Sequence, residues 1–269
     1  MLFRSITDNL NVVPADYSTY CITGPSDARL PNGGGERICG LADLNPVLLN
    51  GLPFNNSRNL VDFADKYGHM FQIYNGFDYV ARFRFPRSAF LQVGGNTGRT
   101  VGAVAAANNG VGTQYCFVVD SPDKQFCEIR QPFLTQVKLN GSYTWPGDIQ
   151  TSAVYQNLPG IPIAANQTVT NAQILPSLGR NLSAGAGSTV SVPLVEPYTM
   201  FEDRLQQLDI RVARTFQFGR ARLQGILDVY NILNASTVLG VNTTYGASWL
   251  RPTEVLGARL FKFGMQVDF

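Results

Sequence analysis

The chain closes on FKFGMQVDF, residues 261–269, and this stretch alternates without a break. Phe261, Phe263, Met265, Val267 and Phe269 fall on one side of an extended strand. Lys262, Gly264, Gln266 and Asp268 fall on the other, because successive strand side chains point to opposite faces. One face suits hydrocarbon and the other suits water. The same division recurs upstream. Ala221, Leu223, Gly225, Leu227 and Val229 oppose Arg222, Gln224, Ile226, Asp228 and Tyr230, with Ile226 the apolar intruder. Leu208, Ile210, Val212, Phe216 and Phe218 oppose Asp209, Arg211, Ala213, Thr215 and Gln217, and Arg214 interrupts the apolar side. Val137 to Trp145, Ile149 to Tyr155 and Phe71 to Phe85 repeat the pattern, while Ala89 to Gly98 is Gly-rich and residues 3–13 alternate less clearly.

A β-sandwich alternates too, so the connectors decide. Counted back from Phe269 they are long at 234–251, tight at Gly219 to Arg220, long at 159–203 and tight at Pro146 to Asp148. They are then long at 103–131, tight at Pro86 to Ser88 and long at 14–70. Short turns on one side and long loops on the other are the turn distribution of an outer-membrane barrel, short in the periplasm and long outside. Parity then sends the last strand inward and places the C-terminus in the periplasm. Phe83, Phe85, Tyr143, Trp145, Phe216, Phe218 and Phe269 gather near the short-turn ends, where an aromatic girdle belongs. The expected fold class is all-β: an antiparallel transmembrane β-barrel segment of about eight strands. Charged and small polar inward faces, with loops forming a large share of the chain, favour an open piece of a larger barrel over a small closed one.

Composition agrees. Charged residues make up 15% and apolar residues 45% of the 269, with 26 Gly. No run approaches the roughly 18 apolar residues of a membrane-spanning helix. A net charge of +2 with scattered Lys and Arg gives no basic patch for nucleic acid. The four cysteines fall as Cys21 with Cys39 and Cys116 with Cys127, each pair within one polar, turn-rich segment. They read as two local disulfides in an oxidising compartment, with free thiols as the alternative. The N-terminus MLFRSITDNL lacks the apolar run of a signal peptide, which on this reading makes the chain a fragment.

From about residue 70 to the end, and more loosely from residue 10, the chain resembles the C-terminal barrel portion of TonB-dependent outer-membrane receptors of the Oar-like, acidobacterial type. The stretches that carry the resemblance are residues 14–46 and 131–160, TNAQILPSLGRNL at 170–182, RLQQLDIRVARTFQFGRARLQGILDVYNILNAS at 204–236 and the terminal GARLFKFGMQVDF. The resemblance implies ligand uptake across the bacterial outer membrane, with residues 1–269 supplying barrel wall and loops. It places the plug and N-terminal domains outside this chain, so that TonB would act only through that missing plug. The implied partners are outer-membrane lipid, an unknown small ligand and the barrel-assembly machinery. For the last of these, Phe261, Phe263, Met265, Val267 and the terminal Phe269 resemble the recognition signal. Other readings are a passive porin-like or small structural barrel, and a secreted β-sandwich adhesin or carbohydrate-active protein.

No catalytic, cofactor or metal constellation stands out, and the chain does not read as an enzyme. His69 is the only histidine, too few for a His-centred triad or metal cluster. The glycines at 33–35 lack a following Gly-Lys-Ser or Gly-Lys-Thr and read as a loop, not a phosphate cradle. Asp16, Asp27, Glu36 and Asp43 fit no EF-hand spacing. Asn166, Asn181, Asn234 and Asn242 begin N-x-S/T sequences of the kind common in Asn-rich loops. Asp78, Arg82, Arg84, Lys138, Asp209, Arg211, Arg222, Asp228, Lys262 and Asp268 all point to the polar side. They are expected to pair across strands and solvate a lumen, with a ligand path as the alternative.

Overall fold

The computed structural model describes residues 3–9, 13–48, 57–63, 71–86, 88–103, 126 and 129–269. In chain order its strands are Phe3–Asn9 (β1), Tyr17–Thr23 (β2), Arg37–Leu44 (β3), Ser57–Phe63 (β4), Phe71–Phe85 (β5), Ala89–Ala103 (β6), Ile129–Arg130 (β7) and Leu134–Trp145 (β8). There follow Ile149–Leu158 (β9), Asn166–Thr170 (β10), Thr189–Pro193 (β11), Leu205–Phe218 (β12), Ala221–Tyr230 (β13), Val238–Val241 (β14), Pro252–Val255 (β15) and Leu260–Asp268 (β16). The single α-helix among the described residues is Asn171–Leu178 (α1).

Eight strands make the main sheet, in the spatial order β16-β13-β12-β9-β8-β6-β5 with the short β7 beside β6. Every pairing in it is antiparallel. The three tight turns expected from the sequence join β5 to β6, β8 to β9 and β12 to β13. Gly219 takes φ 62° in the two-residue turn, a left-handed conformation that costs glycine no Cβ clash. The Pro146 to Asp148 turn carries positive φ at Gly147 and Asp148, and the Asp148 carbonyl accepts from Thr215 N–H at 3.2 Å, tying the turn to β12.

Residues opposite each other in an antiparallel pair share a face, so the register shows whether the alternation of each strand adds up across the sheet. It does. Phe263 lies opposite Leu227, Leu227 opposite Val212, Val212 opposite Thr151 and Thr151 opposite Tyr143. Leu139 lies opposite Val93, and Val93 opposite Ala81. One face therefore displays exposed Phe77, Phe83, Trp145, Phe216, Phe218 and Phe263 from four strands, with Phe263 80% exposed. Arg214 stands on this face but lays its guanidinium 4.8 Å over the Phe216 ring, covering its charge with an aromatic surface. Ile226, the apolar intruder on the polar face, has Ala213 and Gly264 as its register neighbours, whose small size leaves it room.

Two expectations need correction. The stretch 3–13 alternates, but its described strand Phe3–Asn9 is not in the main sheet: β1 pairs with β4 in a separate two-stranded sheet, and the eighth strand is β7, inside a stretch read as loop. The long connectors are also not plain loops. They hold β2, β3, β4, β10, α1, β11 and β14, and β15 follows directly on the last of them. Weak alternation in short segments hid them, although β2 with β3, β10 with β11 and β14 with β15 each pair locally.

The buried apolar core lies in these connectors. Among the described residues, Ala213 is the only buried apolar side chain that belongs to the main sheet. One cluster joins Tyr20, Ile22 and Leu41 of the β2–β3 hairpin to Val169, Ile174, Leu182 and Val192 around α1. A second joins Leu30 to Ile163, Ala165, Val195 and Trp249. Each fully buried Val, Leu or Ile contributes roughly 1.5–3 kcal/mol, enough to order segments that carry little regular structure of their own. The result is a folded cap, standing at the long-connector ends of β9, β12, β13 and β16.

Candidate functional site

The candidate site is the polar face of the main sheet, with the cap at its long-connector end. Strand alternation and register bring every polar-side charge named in the sequence to this one face, but they do not ion-pair as expected. Among the described residues only Arg211 and Asp228 form a cross-strand ion pair, Nε to Oδ1 at 2.5 Å. Asp78, Arg82 and Asp209 meet amides instead. Asn96 donates to Asp78 at 2.5 Å and to the Tyr74 hydroxyl at 2.9 Å, and Arg82 donates to Gln92 at 3.1 Å. Gln156 donates to Gln207, and Gln207 to Asp209, at 2.9 and 3.0 Å. Asp209 also accepts from the backbone N–H of Asn231 at 2.8 Å, which locks the exit from β13. Asp78 and Arg82 sit, in register, beside the amides that satisfy them, Asn96 and Gln92.

Glycine shapes this face. Gly76 and Gly98 are register partners, and a Cβ on Gly98 would come 2.2 Å from the Tyr74 hydroxyl, so the tyrosine ring lies where side chains would stand. Beside it, β5, β6, β8 and β9 surround a concavity of about 450 Å³ that includes Asp78, Gly94, Asn96, Gln136, Lys138 and Gln156. Sequence reading found the charges here but missed the amides and Gly94, since only register shows that they meet.

The cap is fastened by two polar clamps. At the tip of the β2–β3 hairpin, Arg29 pairs with Asp27 at 2.6 Å and stacks 5.2 Å above the Trp249 ring. Tyr245 donates its hydroxyl to Asp27 at 3.0 Å, and the Trp249 indole donates to the Ala164 carbonyl at 2.9 Å. The Arg29 contacts hold the Asp27 carboxyl well below the usual carboxylate range, while burial, aided by Asp27, raises the Tyr245 phenol. At the other end Arg180 pairs with Asp43 and donates to the carbonyls of Asp43 and Leu44 at 3.1 and 2.9 Å. Ser183 donates twice to the same carboxylate, each at 3.0 Å. Asn171 donates to the Gly185 and Ala186 carbonyls and accepts from Leu182 N–H, so this buried amide is fully used.

Cys21 and Cys39 form a disulfide across the β2–β3 hairpin, with Cα atoms 4.2 Å apart. Cys116, Cys127 and His69 lie outside the described residues. Phe261, Phe263, Met265 and Val267 lie exposed on the apolar face of β16, and Phe269 follows the strand fully exposed. The acidic loop residues do not converge: Asp16 accepts from Val13 N–H, Asp27 and Asp43 serve the two clamps, and Glu36 accepts from Asn32. No group of three or more metal-ligating side chains occurs among the described residues. Nor is any helix among them long and apolar enough to cross a membrane. Comparison with protein-family models, with curated proteins and with solved structures returned no match.

Proposed function

We propose that this chain forms wall and outer loops of an outer-membrane β-barrel engaged in receptor-type ligand uptake, as the resemblance to TonB-dependent receptors suggests. The observation that carries the reading is the division of the main sheet. One register-continuous face exposes aromatic and aliphatic side chains, the opposite face is polar, tight turns occupy one end and a folded cap the other. In water, an exposed apolar surface of this extent marks a site of association or a membrane. Except for β7, every strand of the main sheet reaches or exceeds the roughly nine residues a tilted strand needs to cross a bilayer. Among the described residues β5 and β16 form the two outer edges of the main sheet. Hydrocarbon does not tolerate such edges, so on this reading further strands complete the wall. The C-terminus then faces the periplasm, and insertion proceeds through lipid and the barrel-assembly machinery.

The two tryptophans supply the test. Trp145 stands 51% exposed on the apolar face beside a tight turn, whereas Trp249 is 3% exposed inside the cap. In vesicles containing brominated lipid, Trp249→Phe protein should be strongly quenched and Trp145→Phe protein barely. Equal quenching of the two variants, or a monomeric protein soluble without detergent, would overturn the reading.

A further inference from the structure

The concavity on the polar face has a donor and acceptor inventory that selects a ligand class. Asn96 spends both N–H groups on Asp78 and Tyr74, leaving its carbonyl free to accept. Gln156 uses its amide N–H₂ on Gln207 and keeps its carbonyl, while Gln92 accepts from Arg82 and keeps its N–H₂. Gln136, Lys138 and Asn140 make no side-chain hydrogen bond among the described residues. Unused donors and unused acceptors therefore both line one hollow. Its charges, Asp78 and Lys138, cancel. Val80 and Val154, 60% and 51% exposed, are apolar side chains on the polar face, and both border it.

From this we infer that the concavity is a binding site for a neutral oligosaccharide. A sugar hydroxyl both donates and accepts, so it matches a mixed amide lining that neither a carboxylate ligand nor a cation would satisfy. Valine methyls suit the C–H face of a pyranose ring. The volume of about 450 Å³ lies within the range of small-molecule sites. An anion would need a net positive lining, and a metal chelate more charge than the hollow holds. The inference rests on the uptake reading, since it makes this face the path of the cargo.

The test uses the full chain in a detergent without a sugar headgroup, probed by saturation-transfer NMR with maltotriose, cellotriose and triacetylchitotriose, and with trigalacturonate as the anionic control. At least one neutral trisaccharide should bind. A Cβ on Gly94 would meet only ordinary contacts at 3.5 and 3.7 Å, so Gly94→Phe fills the hollow without displacing backbone and should abolish the signal. Gln136→Ala should raise Kd about tenfold, the loss of roughly one polar contact. Absence of binding by all three neutral sugars, unchanged binding by both variants, or preference for trigalacturonate would overturn the inference. If sugars fail to bind while Trp145 is still quenched by brominated lipid, the saccharide site falls and the barrel reading stands.

Discussion

Asp27 is satisfied by a neighbour two residues away and by a tyrosine from a distant connector, and its chemistry predicts how the cap responds to acid. Its folded-state pKa lies below the unfolded value of about 3.9, so its stabilising contribution is complete at neutral pH. That contribution is lost as pH falls below about 4 toward the depressed folded value. Asp27→Asn should therefore speed amide exchange around Tyr245 and Trp249 at pH 7 but match the wild type in strong acid. A difference that persists unchanged at the lowest pH would assign the effect to shape, not charge. The disulfide makes a separate prediction. Replacing Cys21 and Cys39 together by Ser should cost about 2–4 kcal/mol of hairpin stability, read as faster exchange in β2 and β3 with β12 and β13 unaffected. At this scale the sequence was informative about cysteine pairing, because two cysteines in one short turn-rich segment need little tertiary help to meet. It was silent on Asp27 and Asp43, whose clamp partners Tyr245 and Arg180 lie far along the chain.

Among the elements, α1 and β16 differ in what holds them. The helix is short and contains Pro176, but Gln173 accepts from the Thr170 backbone at 3.0 Å at its start, and Gly179 closes it in the left-handed region. Its stability comes from Ile174, fully buried between the β2–β3 hairpin and β10 and β11. Ile174→Ala should cost about 2–5 kcal/mol and loosen the whole cap, measured as protease cleavage near residues 171–190. Preserved resistance there would mean that the polar clamps suffice. In β16 the apolar side chains are exposed, so their substitution should change little in detergent. Deleting Phe269 should lower membrane-inserted yield more than Phe263→Ala does, and equal yields would remove the case for a terminal recognition signal. The long strands and all three tight turns were legible because alternation sustained over nine or more residues has no helical counterpart. The strands of four to eight residues in the connectors were not, since so few positions cannot distinguish a strand from an irregular loop.

The whole molecule divides its apolar residues between two destinations. Those in the cap are buried against each other, and those on the apolar face of the main sheet stay exposed or half-buried along a face that spans every long strand. This division follows from chain order: tight turns force neighbouring long strands to pair, so a two-residue period in each strand becomes a two-sided sheet without any further instruction. Two-sidedness was therefore written locally, in patterns such as that of residues 261–269, and could be read without coordinates. The cap, the amide-lined hollow and the assignment of the eighth strand to β7 were not local. Each depends on side chains tens to hundreds of residues apart that meet only after folding: Arg180 on Asp43, Trp249 beside Leu30, Gly94 between Val80 and Lys138. No periodicity encodes such a meeting, because its free energy comes from burial and hydrogen bonding between surfaces that do not exist until the connectors have packed.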